Sequence, residues 1–104
     1  MTEMTNERSV NERIIENIIE DLQKGTAKAM VASKDVVNEF LLAVQKVMPK
    51  AEKIHCGNRT YIIDFGNREM IKRVEDEIFR EISHHTDMIS VRENAIKEIR
   101  FFSK

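Results

Sequence analysis

A Gly-Asn dipeptide between two runs of strand-forming residues is the feature that most limits what this chain can fold into. Ile54-His55-Cys56 leads into Gly57-Asn58, and Arg59-Thr60-Tyr61-Ile62-Ile63-Asp64-Phe65 leads out. A two-residue loop of this kind suits the primed turns that match the twist of antiparallel strands, so the segment reads as a β-hairpin. Alternation puts Tyr61, Ile63 and Phe65 on one face and Thr60, Ile62 and Asp64 on the other. In this register Ile54 stands opposite Tyr61, a cross-strand pair of the stabilising type. A two-stranded hairpin is marginal alone, so the remaining chain has to cover it.

The flanking segments carry helical periodicity instead. Ser9 and Glu12 have the spacing of a capping box, and Val10, Ile14, Ile15, Ile18, Ile19 and Leu22 follow as a wide apolar stripe. Gly25 sits where a C′ glycine ends a helix, which predicts a helix over 10–24. Residues 1–8 carry little to bury and read as a flexible tail, leaving 9–104 as a single domain. The stretch 25–32 reads as a loop or a short helical turn. Ser33 is then an N-cap with Asp35 in the first turn, and apolar residues run from Val36 to Met48 before Pro49 stops them. Leu42 points about 240° round this helix, away from the other apolar residues.

After Gly66-Asn67 a third helix is predicted from Arg68 to about His84, with Ile71, Val74, Ile78 and Ile82 as its stripe. Glu69 with Arg73, Lys72 with Asp76, and Asp76 with Arg80 mark the solvated face. Ser90 and Glu93 repeat the capping-box spacing ahead of Ala95, Ile96, Ile99 and Phe102. A fourth helix is therefore favoured over a pair of strands at Met88–Arg92 and Ile96–Phe102. The expected fold is α+β in the order α-α-β-β-α-α, with the helices on one face of a small antiparallel sheet.

Composition narrows the function classes. The 104 residues carry 17 basic and 18 acidic side chains, so no whole-molecule field draws in nucleic acid or anionic lipid. The single cysteine, Cys56, excludes an intrachain disulfide, and no apolar run is long enough to span a bilayer. With no apolar leader at the N-terminus, a cytoplasmic location is expected and no membrane partner.

Chemistry-bearing groupings are few. Cys56 adjoins His55, but neighbours on a strand point to opposite faces, so the imidazole does not activate the thiol. Glu81 and His84 have the Glu-x-x-His spacing of di-iron bundles, with His85 and Asp87 close behind, but such sites need two copies and further carboxylates. The three glycines, Gly25, Gly57 and Gly66, are too dispersed for a phosphate-binding loop. No catalytic residue, cofactor or metal is assigned.

Two readings of function follow. The first is a small non-catalytic regulator or adaptor that binds another protein, as a homodimer, through Leu42, Arg59, Tyr61 and Ile62. Leu42 on the polar side of its helix and the open edges of a hairpin motivate it. The second is a winged-helix-like nucleic-acid binder, with Lys34 to Met48 as reading helix and Lys50, Lys53 and Arg59 as a basic wing. Asp35 and Glu39 on that helix would face the phosphates, which weighs against it.

Overall fold

The computed structural model describes residues 2–82 and 89–102, with side chains described over 10–80 and 90–102. It has α+β architecture. Chain order is α1 (Thr2–Gln23), β1 (Lys28–Met30), α2 (Lys34–Gln45), β2 (Ala51–Cys56), β3 (Arg59–Asp64), α3 (Arg68–Ile82) and α4 (Ile89–Phe102). The expected order holds with one strand added. The last element is a helix, not a strand pair.

The predicted hairpin is present, with Cys56 opposite Arg59 and Ile54 opposite Tyr61. Gly57 adopts φ 63° and Asn58 does not enter the left-handed region. A left-handed residue only at the first turn position is the type II′ pattern, which is why glycine comes first. Strand β1 joins the other side of β3, antiparallel, pairing Lys28 with Ile62 and Met30 with Thr60. The sheet order is β1-β3-β2, and β3 is central. The loop expected at 25–32 thus contains a strand: three residues are too few to show a period, and their pairing comes from tertiary contact.

Centrality changes the burial of β3. Tyr61, Ile62 and Ile63 are all fully buried, although successive residues point to opposite faces. Both faces are therefore covered, which corrects the one-face expectation. Helices α1 and α2 pack on each other, as do α3 and α4, and each of the four touches the sheet. Lys53, which shares the Ile62 face, donates to Asn38 of α2, placing the α1–α2 pair on that side. One continuous core joins Ile18 and Leu22, Phe40, Leu41 and Val44, Ile54, Tyr61, Ile62 and Ile63, Met70, Val74 and Ile78, and Ala95 and Ile99.

Helix α1 begins at Thr2, so it runs through the stretch read as a tail, and Ser9 lies inside the helix and not at its cap. Residues 2–8 contain no glycine or proline, and extending an existing helix costs far less than starting one. Its other end matches expectation. Gly25 has φ 81°, its N–H donates to Leu22 at 3.1 Å, and Thr26 N–H donates to Asp21 at 2.8 Å, a Schellman closure. On the last turn, the hydrogen bond from Lys24 to Glu20 at 2.8 Å holds the glutamate carboxyl below its usual range and the lysine above.

Ser33 caps α2 by accepting from Val36 N–H at 3.4 Å. Asn67 does the same for α3, accepting from Met70 N–H at 3.1 Å. Helix α2 ends at Gln45, and turn residues fill the gap before Pro49. Glu69, Lys72, Arg73, Asp76 and Arg80 are all exposed on α3, as their spacing predicts. Between α3 and α4 the Arg92 guanidinium lies 4.5 Å from the Phe79 ring centroid. Among the described residues its Nε is shielded from water without a hydrogen-bond acceptor, and the ring face offers the guanidinium its compensation.

Two measurements check this architecture. Ile62→Ala and Ile63→Ala should each cost about 2–4 kcal/mol in urea unfolding, whereas a sheet covered on one face would lose stability at only one of them. Gly25→Ala should cost about 1–2 kcal/mol through backbone strain, because the nearest atom to an added Cβ, Asn67 Nδ2 at 3.5 Å, leaves it room.

Candidate docking edge

The four residues expected to dock a partner are scattered. Leu42 is 64% exposed, but it stands among the exposed polar residues Asn38, Glu39 and Lys46 on α2, and a lone exposed leucine needs no partner. Arg59 is exposed beside the hairpin turn. Tyr61 and Ile62 are 1% and 0% exposed, so neither can meet another molecule while the fold is intact. Their burial follows from the helices that cover both faces of this central strand. The structure does not bring these four together as a surface.

A different constellation forms at β2, which is an edge strand. Register decides which main-chain groups face out. Cys56 and Arg59 close the two-residue turn, and at the far end Phe65 N–H donates to the Lys50 carbonyl at 2.9 Å. Lys50, Glu52, Ile54 and Cys56 therefore turn their amides and carbonyls toward β3, and Ala51, Lys53 and His55 turn theirs outward. Ala51 is satisfied within the chain: its N–H donates to Met48, and its carbonyl accepts from Gln45 Nε2 at 2.9 Å. For Lys53 and His55 no such main-chain partner exists among the described residues.

Helix α4 runs beside this edge and supplies apolar surface. A groove of about 470 Å³ is lined by Lys53 and His55 from β2 and by Lys97, Glu98, Phe101 and Phe102 from α4. A second hollow of about 300 Å³ continues past Phe102 to Phe65, Pro49, Lys50 and Glu52. Phe102 joins the two, its ring 5.5 Å from that of Phe65 and 5.6 Å from that of Phe101. Phe101 is 69% exposed. His55 is oriented by a 3.0 Å hydrogen bond between its Nδ1 and Thr60 Oγ1, which leaves Nε2 as its other polar atom.

Phe101 carried a legible signal. It falls more than about 100° off the centre of the Ala95–Ile99–Phe102 stripe, a displacement from the apolar face of the kind that singled out Leu42. That His55 and Lys53 border it is visible only once α4 is placed beside β2.

The chemical groupings separate as strand geometry requires. Cys56 is buried on the Ile54 face, and His55, itself exposed near the strand's end, lies on the opposite one. Of the Glu81, His84, His85 and Asp87 group, the last three lie outside the described residues, as does the side chain of Glu81. Among the described residues no three His, Cys, Asp or Glu side chains cluster closely enough to hold a metal ion. No described helix is long and apolar enough to cross a membrane.

Burial of Cys56 should make its thiol inert to an aromatic disulfide reagent in the native protein, with stoichiometric reaction only on unfolding; rapid labelling without denaturant would show the thiol to be accessible. Comparison with known protein families, with curated proteins and with solved structures finds no match to this chain.

Proposed function

We propose that this chain is a small non-catalytic adaptor or regulatory domain of the cytoplasm, which acts by taking an extended polypeptide segment along the outer edge of β2. The observation that carries the reading is the coincidence of outward main-chain groups at Lys53 and His55 with the exposed phenylalanines of α4 in one groove. An added strand gains affinity from main-chain hydrogen bonds and selectivity from pockets that take alternate side chains. Here Phe101 and Phe102 offer the apolar contact, and Lys53, Lys97 and Glu98 form a charged rim. Aromatic anchors beside a polar rim are the usual anatomy of a protein-binding patch.

The nucleic-acid reading draws less support. Strand β1 stands between α1 and α2 in place of a short turn, and Asp35 and Glu39 are exposed on α2.

Selection of random peptides on the immobilised protein tests the proposal. Bound peptides should protect the amides of Lys53 and His55 from hydrogen exchange. Phe101→Ser should weaken binding by roughly ten-fold or more without loss of thermal stability, since the side chain is largely exposed. Peptides that bind elsewhere, or affinity untouched by the substitution, would overturn the assignment.

A further inference from the structure

The docking edge has a property that selects its occupant: it is complementary to itself. Outward main-chain groups are carried by Lys53 and His55, two residues placed symmetrically about Ile54. A two-fold axis through Ile54, normal to the sheet, sets Lys53 of one copy against His55 of the other, and His55 against Lys53. Both members of each pair then offer an outward N–H and an outward carbonyl, which is the requirement for a hydrogen-bonded antiparallel pair. Ile54 meets its own counterpart as the non-hydrogen-bonded pair between them.

We propose, building on the edge-docking reading above, that the segment taken up by β2 is β2 of a second copy. The product is a continuous six-stranded sheet in the order β1-β3-β2-β2-β3-β1. Two further observations bear on the occupant. The rim mixes Lys53 and Lys97 with Glu98 and Glu52, so it selects neither an acidic nor a basic ligand, and the match of main-chain groups, which β2 itself supplies, is left to choose the occupant. An edge lysine commonly repels incoming strands, yet the Lys53 ammonium is drawn aside by its hydrogen bond to Asn38 of α2. A two-fold contact of this kind is isologous, with each residue serving once on either side.

Register-specific cross-linking and sedimentation test the proposal. In a Cys56→Ala background, chains carrying Lys53→Cys are mixed with chains carrying His55→Cys under mild oxidation. Directly opposed residues of a hydrogen-bonded pair lie about 5.5 Å apart, within disulfide reach, so the mixture should cross-link. Each variant alone should not, because its two copies sit two residues out of register, beyond about 7 Å. Lys53→Pro removes one outward N–H without touching the β2–β3 ladder and should turn a wild-type dimer into a folded monomer, read by sedimentation together with circular dichroism.

Cross-linking in the mixture alone, with a wild-type dimer, supports the proposal. A dimer that cross-links in another pattern, or that survives Lys53→Pro, overturns it. A wild-type chain that stays monomeric while selected peptides still protect Lys53 and His55 overturns the second copy and leaves the edge as the docking site. Failure of both overturns both readings.

Discussion

Burial of β3 on both faces is the constraint from which the rest of the fold follows. A strand whose successive residues Tyr61, Ile62 and Ile63 are all hidden needs a neighbour on each side and a helical layer above and below. Strand β1 supplies one neighbour and β2 the other. The pairs α1–α2 and α3–α4 supply the layers. Helices α1, α2 and α3 are trimmed to that task by local devices: the Schellman closure at Gly25, the Ser33 cap and the turn before Pro49, and the Asn67 cap. Propensity and capping decide where helices stop, and the central strand decides where they go.

This division of labour explains what could be read from residues alone. The hairpin was legible because Gly57-Asn58 is a local signal, and its register followed from the turn. The helices were legible because their stripes repeat over three or more turns. Strand β1 was not, since Lys28-Ala29-Met30 has neither length nor alternation, and its existence depends on β3, some thirty residues away. Tyr61 and Ile62, expected to meet a partner, are buried because helices cover both faces of the sheet, and no local signal in the hairpin shows that. The start of α1 was missed because a capping-box spacing at Ser9 and Glu12 is equally at home inside a helix.

The groove at β2 is a by-product of how the core is closed. Ile99 and Ala95 dock α4 on the core, and the helix's last turn then overhangs the sheet margin. Phe102 stays partly exposed against the Phe65 ring, and Phe101, one residue earlier, is carried further out to solvent. A side chain that contributes little to the core is well suited to contact something else, because it can be changed with little loss of stability.

The two margins of the sheet are unequal. Strand β1 is three residues long and lies in the chain between the Schellman turn of α1 and the capped start of α2, so the stretch it offers a further strand is short. Growth is confined to the β2 margin, and joining two such margins about a two-fold axis uses both of them. On the proposed pairing, the shortness of β1 would leave the joined sheet with only short outer margins, which disfavours open-ended growth into fibrils.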